Sequence, residues 1–164
     1  MLKPMFSMLA AASLMAVSFE SNALVTEGGG GSTLDCTNAV ASVGMIWPPD
    51  HSMVTEQIWG VTDDPGAGGV TITINTISQD EPVLTDGSGN TQPDGVIQNP
   101  IAYVRAERSG PGTGRLYFIN FTASDGMGNT CSNTVQVQVP HDQGQGYVPI
   151  DTGNRYDSTM VTPN

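Results

Sequence analysis

Val135-Gln136-Val137-Gln138-Val139 alternates a branched apolar residue with a polar amide at every step. A period of two places the three valines on one face of an extended strand and the glutamines on the other, which reads as a β-strand with one buried and one wet side. Val70, Ile72 and Ile74 repeat the pattern against Thr71, Thr73 and Asn75. Between these segments, Arg115-Leu116-Tyr117-Phe118-Ile119-Asn120-Phe121-Thr122-Ala123 is apolar on both parities, as expected of a central strand covered on each side. Val, Ile, Thr and aromatic residues between turn signals predict further strands at about 38–46, 52–61 and 100–107. The turns are Trp47-Pro48-Pro49-Asp50, Asp63-Asp64-Pro65-Gly66, Ser109-Gly110-Pro111-Gly112 and Asp125-Gly126-Met127-Gly128-Asn129. No stretch beyond the N-terminal apolar run keeps a helical period, and the fold class expected is all-β.

The two cysteines, Cys36 and Cys131, open the first and last of these strands. In a sandwich whose successive strands reverse direction, the first and last strands begin at the same end only if the strand count is odd. A bond between the two needs Cα atoms within about 7 Å, which favours seven strands over six. The additional strand is expected in the 79–99 connection, around 82–85 or 96–98. Seven antiparallel strands in about 105 residues describe a single immunoglobulin-like β-sandwich. Closing so long a loop is worth roughly 4 kcal/mol in the chain-entropy account. The alternative is two free or intermolecular thiols.

Composition divides the remainder. Lys3 followed by the apolar run Met5 to Phe19 and the small residues Ser21-Asn22-Ala23 reads as a signal peptide at 1–23. A Gly-rich linker follows at 24–35, the sandwich at 36–142 and a polar, mostly disordered tail at 143–164. The tail carries a short apolar island, Tyr147-Val148-Pro149-Ile150, suited to lying against a sheet edge of its own or a neighbouring molecule. The apolar run is too short to span a bilayer and no second one follows, so no transmembrane segment is expected. The chain is expected to be secreted, to the extracellular space or the periplasm, where disulfides persist. Without the signal, Arg105, Arg108, Arg115 and Arg155 stand against fifteen acidic residues, and the net charge remains −11. Such a surface repels phosphate backbones and anionic lipid, which argues against nucleic acid as a partner. It suits divalent cations, or simply keeps an exported protein soluble.

Strand direction also sorts the loops. Opposite the cysteines it gathers Trp47-Pro48-Pro49-Asp50-His51, Gln79-Asp80-Glu81-Pro82, Arg105-Ala106-Glu107-Arg108 and Val139-Pro140-His141-Asp142. These motifs, with Ala123-Ser124-Asp125-Gly126-Met127-Gly128-Asn129-Thr130-Cys131, resemble bacterial extracellular β-sandwich modules related to the hyalin-repeat, polycystic-kidney-disease and cadherin-like domains, over roughly 36–143. The last motif is similar to the Ala-Thr-Asp-x-x-Gly-Asn end of hyalin repeats. The resemblance implies adhesion or spacing at a cell surface, with a protein or surface-assembly partner. It also implies a calcium site made by Asp50, Glu107 and Asp142 with Asp80 or Glu81, since calcium takes six to eight oxygen ligands. The competing reading is an ion-pair network in which Arg105 and Arg108 neutralise these acids over a plug formed by Trp47. A second, weaker cation loop is Asp86 to Gly95, which lacks the late bidentate Glu of an EF-hand.

Catalysis is not expected. Only His51 and His141 are available for a triad, and no Gly-x-Ser-x-Gly elbow or zinc-ligand spacing occurs. A Glu81–Glu107 glycosidase pair would need a cleft that a small sandwich hardly offers. Two functions remain. One is a non-catalytic structural or adhesive module. The other is a carbohydrate- or small-ligand-binding sandwich in which Trp47 stacks on the ligand, Trp59 being expected in the core.

Overall fold

A computed structural model describes residues 34–144 and 148–162. The expected signal peptide, the linker up to Thr33, and residues 145–147 and 163–164 of the expected tail lie outside the described residues. The elements in chain order are β1 (Val40–Ala41), β2 (Met53–Glu56), β3 (Ile58–Trp59), β4 (Thr71–Gln79), β5 (Gly95–Gln98), β6 (Ile101–Arg105), β7 (Gly114–Ser124), β8 (Thr130–Pro140) and β9 (Tyr156–Asp157). There is no helix among the described residues. The fold is all-β.

The alternating stretch quoted above belongs to β8, which pairs with β7 without a break from Gly114↔Pro140 to Ser124↔Thr130. Val135, Val137 and Val139 face inward with Tyr117, Ile119 and Phe121, and each large apolar side chain sealed there contributes about 1.5–3 kcal/mol. On its other side β7 pairs with β4, and a register shift between Ile74 and Thr76 breaks that ladder. The extra residue reverses parity, so Ile77 and Gln79 turn inward just as Ile72 and Ile74 do on the other side of the bulge. The sheet order is β8-β7-β4-β9. A second sheet, β2-β6-β5, and a ribbon, β1-β3, complete the set. Ala102 and Val104 of β6, Ala41 of β1 and Ile58 of β3 join the valines of β8 in one buried cluster, an arrangement consistent with a β-sandwich.

Among the described residues nine strands replace the seven expected, for identifiable reasons. The strand sought in the 79–99 connection is β5, at the later of the two positions. The 38–46 segment pairs as a strand only at Val40–Ala41, because the Glu56 carboxylate takes the Val43 amide (2.9 Å) and the Ser42 hydroxyl (3.1 Å). The chain then crosses to β8, where Ile46 N–H donates to Gln138 O (2.8 Å) and Gln138 N–H to Gly44 O (3.0 Å). The 52–61 segment divides at Gln57, since β2 belongs to the three-stranded sheet and β3 to the ribbon. A ribbon covers one face only, so Ile58 is buried and Trp59 is 56% exposed rather than in the core. The tail is not disordered over 148–162: Tyr156 and Asp157 pair with Gln79 and Ser78, and Ser158 is fully buried.

Cys36 and Cys131 are bonded, with Cα atoms 5.9 Å apart across 95 positions of sequence. This agrees with the expected pairing, and a disulfide is compatible with a secreted or periplasmic protein. No helix among the described residues is long and apolar enough to cross a membrane. The outer edge of β4 is treated differently along its length. Near Gln79 it carries β9. At Ile74 the Asn99 side chain accepts from the backbone N–H and donates to the carbonyl (3.3 Å), standing in for one residue of a neighbouring strand.

Candidate functional site

The loops opposite the disulfide converge on Arg115, the second residue of β7. Heading a strand that is buried on both faces, it has no exposure to solvent. Its Nη1 lies 2.7 Å from Asp94 Oδ2 and 3.9 Å from Glu107 Oε1, and its Nε lies 3.1 Å from Glu81 Oε2. It also donates to the Tyr117 hydroxyl (3.1 Å), which donates in turn to Arg105 O (2.9 Å). Gln79, turned inward by the bulge in β4, donates to Asp94 Oδ2 (2.8 Å) and Glu81 O (2.9 Å). Glu81 Oε2 accepts from Ser109 N–H (2.7 Å), and Glu107 Oε2 lies 3.0 Å from His51 Nδ1 and accepts from the Thr91 hydroxyl. Acids from two connections, Glu81 and Asp94 between β4 and β5 and Glu107 between β6 and β7, thus end on one guanidinium.

Burial sets the electrostatics of this cluster. It raises the Asp94 carboxyl above its ordinary range, partly opposed by Arg115 and Gln79, and raises Asp80 likewise. It also drives the Tyr117 phenol upward. For Arg115 burial works against the charge, but Tyr117, Asp94 and Glu81 outweigh it and the pKa rises. The guanidinium is therefore a permanent cation holding carboxylates that cannot reach water, an arrangement that orients loops.

The residues expected to ligate calcium fall into three environments. Glu81 and Glu107 meet at Arg115. Asp80 is buried but turns to the backbone, accepting from Leu116 N–H (2.9 Å). Asp50 and Asp142 are exposed and hold local turns: Asp50 accepts from Ser52 N–H (3.0 Å) and hydroxyl (2.6 Å), which lowers its pKa, and Asp142 accepts from Gly144 N–H (2.7 Å). Among the described residues, no group of three or more His, Cys, Asp or Glu side chains is placed to hold a metal ion. Of the two arginines expected to neutralise these acids, Arg105 lies 3.5 Å from Asp94 and donates to Pro93 O and His51 O. Arg108 instead donates to Ser109 O (3.1 Å) and His141 O (2.9 Å). Arg115 is not among the site residues expected from the sequence, and Asp94, expected only in the weaker 86–95 cation loop, is instead buried against it. The signal for Arg115 was its place at the head of a doubly apolar strand, where an arginine must be buried and hence paired.

Trp47 follows Ile46, where the chain crosses to β8. It is 38% exposed and lines a cavity of about 440 Å³ with Met45, Pro140, Asp142, Gln143, Gly144 and Val148. That volume is within the range of small-ligand sites. Met45 is 55% and Val148 58% exposed, so the indole opens onto an apolar rim rather than plugging the loops. A third feature is Glu56 at the end of β2, fully buried with the Val43 and Ser42 bonds already described. Burial outweighs those bonds and pushes its pKa up to about 7. No protein-family model, curated protein or solved structure matches this chain.

Proposed function

We propose that this chain is a non-catalytic, secreted structural or adhesive module of immunoglobulin-like design, related to the hyalin-repeat and cadherin-like domains. It meets a protein or surface-assembly partner through the end that carries Trp47. The observation that carries the reading is a division of labour at that end. Glu81, Asp94, Glu107 and Arg115, the groups suited to acid–base work, are buried in mutual contact. Met45, Trp47 and Val148 are presented together to solvent. Exposed apolar clusters with a polar rim are features of interaction surfaces, and tryptophan is prominent in their energetic centres. The test is retention of fluorescently labelled chain on the surface of the producing cells. Trp47→Ala and Met45→Ser should each lower retention by about tenfold, a hot-spot loss of about 1.4 kcal/mol. Equal retention of all three chains would remove the reading.

The cavity beside Trp47 favours a second reading, a carbohydrate or other small ligand stacked on the indole. A titration of neutral oligosaccharides against tryptophan fluorescence, with Trp59→Phe to silence the other indole, separates the two. Saturable quenching lost in Trp47→Phe supports a sugar site, and a flat titration excludes it.

A further inference from the structure

The C-terminal segment 148–162 fills a slot between the edges of both sheets. On one side β9 adds to β4, and Ser158 N–H continues the ladder to Ile77 O (3.0 Å). On the other side the Ser158 carbonyl accepts from Asp94 N–H (2.9 Å) and Gly95 N–H (2.8 Å), where β5 begins. The Ser158 side chain enters a notch that exists because residue 95 is glycine: a Cβ there would lie 2.8 Å from Ser158 Cβ and 3.1 Å from Ile77 Cγ2. Three residues upstream, the Arg155 guanidinium lies 3.6 Å from the centre of the Phe118 ring. Thr152 donates to Asp80 O (2.9 Å), and Thr162 and Gln92 exchange two hydrogen bonds (2.7 and 2.9 Å). The slot therefore reads a specific strand, with arginine over Phe118 and serine in the Gly95 notch.

Hydrogen bonds hold this segment far more than apolar burial does. Val148, Ile150, Tyr156, Met160 and Val161 are all exposed. An element with few buried apolar contacts opens locally at low cost, and what it uncovers is a pair of unsatisfied strand edges.

We propose that the slot is a strand-exchange site whose partner is a second copy of this chain, each copy's 148–162 segment docking into the other's slot. The occupant is argued from complementarity, since the segment that fits the notch and the Phe118 face is the chain's own. The contacts are the same in cis and in trans, so exchange costs little beyond association. The inference goes beyond the Trp47 surface and does not depend on it.

Two full-length variants test it. Gly95→Leu closes the slot and leaves its own segment free, while Ser158→Arg spoils the segment and leaves its slot empty. Each alone should remain monomeric by light scattering, and their equimolar mixture should give a species of twice the monomer mass. A monomeric mixture of two folded variants overturns the proposal, as does a dimer of either variant alone. If Gly95→Leu does not fold, Ser158→Arg is titrated with a labelled peptide of residues 148–162. Binding at least about tenfold tighter than to the wild type, whose slot is filled intramolecularly, supports exchange. Absence of binding overturns it.

Discussion

Substituting Glu56 by glutamine isolates one buried acid and gives a pH signature of known sign. The carboxyl of Glu56 moves from an ordinary 4.5 to about 7 on folding, with burial as the leading cause. The folded chain therefore binds the proton more tightly than the unfolded chain between those values. The associated stability is fully present below pH 4.5 and is lost as the pH rises through 7. At about 1.4 kcal/mol per decade the displacement is worth at most about 3 kcal/mol. Glutamine keeps a carbonyl to accept from Val43 N–H and the Ser42 hydroxyl but cannot titrate. Urea unfolding of the disulfide-intact chain from pH 4.5 to 8.5 measures both proteins. The stability of wild type relative to Glu56→Gln should fall by 2–3 kcal/mol across this range, at constant m-value. Asp80 and Asp94, also raised by burial, are common to both chains and cancel in the difference. Parallel curves, with a difference that changes by less than about 0.5 kcal/mol, would refute the assignment.

Arg115→Met leaves Glu81, Asp94 and Glu107 buried without their shared cation and should destabilise the fold by about 3–5 kcal/mol in thermal or urea melts. A loss below about 1 kcal/mol would mean that the loops are held by other contacts. Cys36→Ala with Cys131→Ala should cost about 2–5 kcal/mol, read as a drop in urea midpoint; an unchanged midpoint would show that the closed loop adds nothing. The melting temperature should agree to within about 1 °C in EDTA and in millimolar calcium, because among the described residues no group of three or more His, Cys, Asp or Glu side chains is placed to hold the ion. A difference of several degrees would instead show that calcium stabilises the native state through a site these loops complete.

The long strands were legible because their information is local. Every second residue of 135–139 states which face it occupies, and the two-parity pattern of 115–123 identifies a central strand without reference to its neighbours. The cysteines added a non-local constraint that located β5 within the 79–99 connection. The two-residue strands were not legible, since β1, β3 and β9 exist only where other parts of the fold present an edge, and Glu56 ends β1 by intercepting the amide of Val43. The loop-end acids were placed at the correct end of the molecule, but their counter-ion was sought beside them in sequence, at Arg105 and Arg108. The central cation is Arg115, whose partners Glu81 and Asp94 come from the two ends of the β4–β5 connection and Glu107 from the β6–β7 connection. Trp59 was misplaced because a strand-forming context does not say whether the second face of a strand has a cover.

The Asn99 amide on the edge of β4 also limits how copies of this chain can join. Strand addition normally propagates along an open edge until the edge ends, which is the route to fibrils. Here the backbone groups of Ile74 are already engaged by a side chain, and the bulge at Ile74/Thr76 bends the rail beside them. A docking segment finds productive register only over the short stretch near Ile77 to Gln79. An assembly built through this edge therefore adds one short strand and stops there, short of an aggregate.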